Sequence, residues 1–135
     1  MRLLGVDFGG TRIGIATADS VHKIPSSRPP LAASGTLLKD AEAILKIAQK
    51  EEAELIVVGL PLNEGEETKM SRICRMLAEK LSGLGAKVAT IDESFTSMRA
   101  EDDLRAEGLK ASQVKKAVDG EAAMRILMRY MESND

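Results

Sequence analysis

The sequence predicts an α/β fold in which a mixed central sheet opens with a β-hairpin, continues by strand-helix alternation and carries helices on both faces. Two apolar runs, at residues 2–8 and 12–19, flank a glycine-rich corner near the N-terminus. Short β-branched runs then alternate with apolar stripes at helical spacing, which is typical of parallel strands joined by helices. A last helical stretch, at about residues 117–131, closes the chain.

The two strands of the hairpin are predicted at residues 2–8 and 12–19, where aliphatic residues dominate as in strands buried on both faces. Asp7 interrupts the first run close to its end. An ionised carboxylate held there would be unstable without a cation or a hydrogen-bond donor. We therefore expect Asp7 either to accept hydrogen bonds from backbone amides or to hold a metal ion. Gly9 and Gly10 permit positive φ and close backbone approach, so this turn could face a phosphate.

Residues 21–35 are predicted to form a loop that contains three prolines. These are Pro25, Pro29 and Pro30. Because proline cannot donate to a strand ladder, this segment is expected to form at most an edge strand around residues 31–33. Apolar residues at helical spacing then predict the first helix at about residues 36–52.

The next elements alternate between strand and helix. The β-branched run at residues 55–59 predicts a buried strand, and the apolar stripe that follows predicts a helix at about residues 67–83. Cys74 lies on that stripe and is expected to be a small buried hydrophobe, since no His or Cys partner is near it in sequence. A strand at residues 86–93 and a short helix at about residues 96–107 come next.

Composition limits the possible function. A chain of 135 residues fits one domain, covering residues 1–135. Its net charge of −2 predicts no bulk attraction to nucleic acid, so binding to such a polymer would need a local basic patch or a bound cation. One cysteine, no apolar leader and no long apolar run together predict a cytoplasmic protein that does not associate with membranes.

Three acidic residues stand where predicted elements begin or end. Asp7 follows the first strand, Glu93 the last, and Asp119 opens the C-terminal helix. Ligands of α/β sheets gather at the carboxyl ends of strands, and converging oxygens suit Mg²⁺ or Mn²⁺, a pair of which can promote phosphodiester cleavage. Helical spacing places Asp119 on the apolar stripe, although an N-cap role remains an alternative. Asp92 and Glu121 turn away from these acids and are predicted to be solvated.

Four motifs appear in order along almost the whole chain. They are Asp7-x-Gly9-x-x-Arg12-Ile13-Gly14-Ile15-Ala16, Val57-Val58-Gly59-Leu60-Pro61-Leu62-Asn63 with Gly65, Asp92-Glu93-Ser94-Phe95-Thr96-Ser97, and Asp119-Gly120-x-Ala122-Ala123-x-x-Ile126-Leu127. With these motifs the chain resembles the YqgF family, RNase H-like proteins described both as Holliday-junction resolvases and as pre-16S rRNA nucleases.

The resemblance implies an RNase H-like fold and a divalent-metal endonuclease that matures the 5′ end of precursor 16S ribosomal RNA, with branched DNA as a second possible substrate. It implies that the metal, Mg²⁺ or Mn²⁺, is bound by the catalytic acids Asp7, Glu93 and Asp119. The implied substrate-binding residues are Gly9, Thr11, Arg12 and Thr96. A monomer or a weak homodimer is expected.

Two residues depart from the family pattern. Ser94 stands where the family commonly has Arg, which could remove a contact to the substrate backbone. Gly120 stands where the family often has Ser, which is expected to lower helix stability near the first turn and to remove a hydrogen bond. Neither change removes one of the three acids.

Two other classes of function compete with the nuclease. An actin-like ATP-binding phosphotransferase fragment is suggested by the Gly-Gly-Thr turn, but the chain is too short for two lobes and lacks a second Asp-x-Gly-Thr motif. A non-catalytic nucleic-acid or ribosome-assembly module would keep the fold without the chemistry. Both the nuclease and the non-catalytic module could bind nucleic acid through a rim of basic residues around the acids. The residues predicted for that rim are Lys23, Arg28, Lys110, Lys115, Lys116, Arg125 and Arg129.

Overall fold

The computed structural model of the protein describes residues 1–93 and 111–133. Its strands are β1 (Arg2–Phe8), β2 (Arg12–Asp19), β3 (Ser26–Ala32), β4 (Leu55–Leu60) and β5 (Val88–Asp92), and the helices in these ranges are α1 (Leu37–Lys50), α2 (Lys69–Gly83) and α3 (Ala111–Ser133). The strands form one sheet in the order β3-β2-β1-β4-β5. The predicted hairpin, strand-helix alternation and C-terminal helix are confirmed, while the short helix predicted at about residues 96–107 lies outside the described residues.

The hairpin and the parallel strands together bring several strand ends to one edge of the sheet. β1 and β2 are antiparallel, with Asp7 opposite Gly14. β1 is parallel to β4, and β4 is parallel to β5. The carboxyl ends of β1, β4 and β5 therefore meet at one edge, here called the carboxyl edge, where Asp7 and Glu93 both lie.

Two hydrophobic cores cover the two faces of the sheet. Leu4 and Val6 belong to the core shared with α1 and α2, whereas Leu3 belongs to the core shared with α3. Successive strand residues point to opposite faces. Asp7 is therefore on the α3 face, with Leu3 and Gly5.

Glycines let α3 lie directly on the sheet. A Cβ atom added at Gly5 would stand 2.7 Å from Cγ of Leu127 and 2.8 Å from the carbonyl oxygen of Ala123. A Cβ added at Gly59 would stand 2.5 Å from Cδ1 of Ile126. A side chain at position 5 or position 59 would thus force α3 away from the sheet.

The segment predicted as a loop contains a longer strand than expected. β3 covers Ser26–Ala32, although only an edge strand around residues 31–33 was expected. β3 is the outermost strand on its side of the sheet, and its register with β2 shifts between Ile13 and Ile15. Pro29 and Pro30 occupy this irregularity, where a missing N–H does not interrupt a regular ladder.

α3 also begins earlier than predicted, at Ala111 instead of about residue 117. Its first residues include good helix formers but no clear apolar stripe, so periodicity alone does not reveal them. Gly120 is consequently inside the helix and not near its first turn. A Cβ added there would stand 2.9 Å from Cβ of Ser27, so this glycine lets α3 pass closely over β3.

Candidate active site

Glu93 follows β5 directly and lies beside Gly59 of β4. Its N–H donates to the carbonyl of Leu60 at 3.0 Å, and the residue is only 6% exposed. A Cβ added at Gly59 would stand 2.8 Å from Cδ and 2.9 Å from Oε2 of Glu93. The missing side chain at position 59 therefore makes the space that the carboxyl group of Glu93 occupies. The sequence indicated Glu93 but not this use of Gly59, because the contact joins residues from two strands.

Asp7 and Glu93 form a carboxyl pair. Burial is the main cause that raises the pKa of Glu93 to about 9; the charge of Asp7, a hydrogen bond with Asp7 and the charge of Asp92 add to the effect. Two carboxylates so close together cannot both ionise readily in a low-dielectric environment. Without a cation, the carboxyl group of Glu93 therefore stays protonated, and its O–H donates a hydrogen bond to Asp7.

The donor set of this pair fits a hard divalent cation. Oε2 of Glu93 is buried and accepts no hydrogen bond within the described part of the chain. A buried carboxylate oxygen without a donor, next to a second carboxylate, is the kind of ligand that Mg²⁺ and Mn²⁺ prefer. A cation there would compensate the charge that the shared proton now compensates.

The third predicted acid, Asp119, belongs to α3. Ala122, Ala123 and Ile126, which were predicted to share its stripe, are buried against the sheet. Because α3 begins at Ala111, an N-cap role for Asp119 is excluded. The side chain of Asp119 is not among those described, and residues 1–93 and 111–133 alone contain no group of three His, Cys, Asp or Glu residues that could hold a metal. Its role as third ligand stays a prediction.

The predicted substrate-binding residues Gly9, Thr11 and Arg12 lie in the turn between β1 and β2. The N–H of Gly9 donates to the carbonyl of Arg12 at 2.8 Å. Neither Gly9 nor Gly10 adopts positive φ, so the conformational freedom expected of them is not used. Arg12 lies two residues before Gly14, the partner of Asp7, and thus shares the α3 face with Asp7. Thr96 lies outside the described residues.

The predicted basic rim loses two of its members to ion pairs. Nε of Arg28 donates to Oε1 of Glu51 at 2.8 Å, and the same carboxylate accepts a bond from Arg2 at 3.3 Å. Since Arg2 opens β1, this cluster lies at the sheet edge opposite the acids, and the prediction for Arg28 is wrong. Arg125 donates to Glu121 at 3.2 Å, so Glu121 is not simply solvated.

Two of the remaining rim residues are exposed, as a basic rim requires, whereas Asp92 is less exposed than predicted. Arg129 is exposed on α3, and Lys23 is exposed in the connection from β2 to β3. The side chains of Lys110, Lys115 and Lys116 lie outside the description. Asp92, predicted to be solvated, is partly buried, and its charge contributes to the raised pKa of Glu93.

Cys74 is a buried thiol in the core of α2, as predicted. Burial is the main cause that raises its pKa to about 12, followed by the charges of Glu93 and Asp7. A thiol with such a pKa stays protonated at neutral pH and is a poor nucleophile. Cys74 is therefore not a candidate nucleophile.

Sequence comparisons agree with the geometry. The family described as RuvX, Holliday junction resolvase, matches residues 1–133. A protein from Anaeromyxobacter sp. (strain K) is 40% identical over 134 residues, which cover 98% of this chain and 97% of its own. One from Chromobacterium violaceum is 37% identical over 134 residues, 96% of each chain. Both are named as candidate pre-16S rRNA nucleases.

Solved structures share the fold. RuvC from T. thermophilus, in complex with a Holliday junction substrate, matches with a TM-score of 0.58 and 11% identity and covers 99% of this chain and 95% of that one. The fowlpox virus Holliday junction resolvase matches with a TM-score of 0.56 and 15% identity, covering 98% and 99%. The expected RNase H-like fold is confirmed. No helix in the described ranges is both long and apolar enough to cross a membrane.

Proposed function

Because the chain belongs to the RuvX family of Holliday junction resolvases, we propose that it is a divalent-metal-dependent endonuclease that hydrolyses phosphodiester bonds in structured nucleic acid. The observation that carries this proposal is the carboxyl pair of Asp7 and Glu93, in which Glu93 is buried and one of its oxygens lacks a donor among the described residues. Structural carboxylates usually have their hydrogen bonds satisfied. A buried carboxylate oxygen of Glu93 that has no hydrogen-bond partner among the described residues is better explained as part of a binding site.

Each residue of the site has a distinct part in this proposal. Asp7 and Glu93 hold Mg²⁺ or Mn²⁺, and Asp119 is the third ligand. When bound, the metal would stabilise developing negative charge and lower the pKa of water. Glu93 would hold the cation in its ionised form, and Gly59 leaves the space that its carboxyl group occupies. Arg12, on the same face as Asp7, contacts a phosphate of the substrate.

The favoured substrate is the 5′ end of precursor 16S ribosomal RNA. This choice rests on relatives that match over nearly their full length and carry the corresponding name. Branched DNA is the second candidate, because the matching family is described by Holliday junction resolution. The two substrates differ chemically enough to be separated by one assay.

The test is cleavage of a precursor rRNA with its 5′ extension and of a four-way DNA junction, each with Mg²⁺, Mn²⁺ or EDTA. Asp7→Asn keeps the shape of the side chain but removes its charge. We expect it to lower kcat by more than about 100-fold, the upper end of the loss seen for outer-shell partners of metals. Asp19→Asn is the matched control, because Asp19 ends β2 at the opposite edge.

Equal cleavage by the wild type and Asp7→Asn would contradict the assignment. A wild-type protein that binds RNA in the presence of metal but cleaves neither substrate would instead favour the non-catalytic module. Cleavage of only one substrate identifies the substrate class.

A further inference from the structure

Gly10 is a glycine that the described fold does not require. Its φ lies outside the left-handed region, and an added Cβ would meet no atom within 4 Å. Gly9 is different, because its Cβ would stand 2.8 Å from the carbonyl oxygen of Arg12. Replacing glycine by alanine at a compatible position usually stabilises a protein by restricting the unfolded chain. The free space at Gly10 therefore has no explanation within the described residues.

The turn that contains Gly10 presents unused hydrogen-bond donors. The N–H groups of Gly10 and Thr11 and the hydroxyl of Thr11 bond to no other described residue. The turn is nevertheless fixed on both sides, since Gly9 donates to Arg12 at 2.8 Å and Ala33 donates to the carbonyl of Thr11 at 3.0 Å. Backbone N–H groups and threonine hydroxyls are common partners of phosphate oxygens in nucleic-acid complexes.

The turn that follows β4, on the other side of Asp7, carries negative charge. Residues 63–66, here called the acidic turn, are closed by two backbone bonds of 2.9 Å between Asn63 and Glu66. Glu64 and Glu66 are exposed there. The strand order β2-β1-β4 puts this turn and the turn with Gly10 on opposite sides of Asp7, at the same edge. The two glutamates repel a phosphate chain, whereas the turn with Gly10 offers it donors.

We propose that the substrate strand crosses the carboxyl edge over residues 9–12, on the side of Asp7 away from the acidic turn, and that Gly10 provides the clearance for its phosphate backbone. This proposal rests on the proposed nuclease function and specifies where the substrate binds. Gly10 is three residues beyond Asp7, so the two residues can be at most roughly 10 Å apart. The turn therefore contacts a phosphate next to the one that is cleaved, and Gly10 is a substrate-positioning residue.

The test compares Gly10→Ala with Gly83→Ala. Gly83 is the matched control, because it too has ordinary φ and no atom within 4 Å of an added Cβ, but it ends α2 at the opposite edge. The measurements are the Kd for precursor rRNA and for a four-way DNA junction in EDTA, kcat and KM with Mg²⁺, and Tm. We expect Gly10→Ala to raise Kd and KM about tenfold, with kcat changed much less, because the added methyl group would hold a phosphate away from the N–H groups of the turn and so weaken about one hydrogen bond to a charged group. The Tm of both variants should equal or exceed that of the wild type, and Gly83→Ala should keep the wild-type Kd, KM and kcat.

Two further variants separate the possible failures. Glu64→Gln combined with Glu66→Gln is expected to lower Kd about two- to threefold at low salt, because it removes repulsion from the acidic turn. If Gly10→Ala keeps the wild-type Kd and KM while Asp7→Asn abolishes cleavage, the placement of the strand is wrong and the nuclease assignment stands. A large drop in the Tm of Gly10→Ala also overturns the proposal, since the fold would then need this glycine. A wild-type protein without affinity for either nucleic acid, both in EDTA and with Mg²⁺, overturns both.

Discussion

At the scale of single residues, the candidate site is defined by a pair of acids, Asp7 and Glu93, that are joined by a hydrogen bond. Glu93 is buried beside Asp7, and its proton takes the place of a positive charge. Such groups lower the stability of the metal-free protein whenever the proton is removed. The pair therefore makes stability depend on pH in a direction that is unusual for a carboxyl group.

The first prediction concerns this pH dependence in EDTA. The pKa of Glu93 rises from 4.5 to about 9 on folding, so the folded chain binds more protons than the unfolded chain between these values. The contribution of Glu93 to stability is then fully present below about pH 4.5 and is lost as pH rises towards 9. Glu93→Gln cannot ionise and should lack this loss. Thermal unfolding from pH 5 to 9 measures the difference: the Tm of the wild type should fall relative to that of Glu93→Gln, and parallel curves would contradict the raised pKa.

Residue-level prediction from the sequence succeeded where the signal was local. Asp7 interrupts an apolar strand and Glu93 ends one, so both could be placed at the sheet edge without coordinates. Arg28 was wrongly predicted to belong to the basic rim, because its partner Glu51 is 23 positions away and the sequence does not reveal this ion pair. The use of Gly59 was equally invisible, since it depends on the adjacent strand.

At the scale of elements, the packing of α3 on the sheet decides how closely Asp119, the predicted third ligand, can approach Asp7 and Glu93. Gly5 and Gly59 give α3 its close position, and Gly120 does so from the helix. Apolar periodicity revealed α3 but not its first residues, because the sequence of residues 111–116 has no clear apolar stripe. β3 was underestimated because its prolines occupy a register shift that no local pattern shows.

A second stability prediction follows for Gly5. Its Cβ would collide with the backbone carbonyl of Ala123, which cannot rotate away as a side chain can. Gly5→Ala should therefore lower the free energy of unfolding by about 1–3 kcal/mol, the usual effect of overpacking. Gly83→Ala, which meets no atom, should stay within about 0.5 kcal/mol of the wild type. Urea unfolding measures both, and equal stability of the two variants would show that α3 does not press on β1.

At the scale of the whole molecule, the topology brings distant parts of the chain to one edge. β1 and β5 are separated by most of the sequence, yet only β4 lies between them in the sheet. With a net charge of −2, the protein has no general attraction for nucleic acid, so binding must come from a cation at the acids and from local donors such as the turn with Gly10. The fold class could be predicted from alternating patterns, whereas the distribution of ion pairs between the two sheet edges depends on the three-dimensional structure.

The position of manganese in crystals soaked with Mn²⁺, measured by anomalous scattering, is the most direct test of the proposed metal site. We expect a peak within bonding distance of the carboxylates of Asp7 and Glu93 in the wild type, and its loss in Asp7→Asn and Glu93→Gln. The Asp19→Asn control should keep the peak. No peak at the pair in millimolar Mn²⁺, or one that persists unchanged in both site variants, would contradict the claim that these two acids hold the metal.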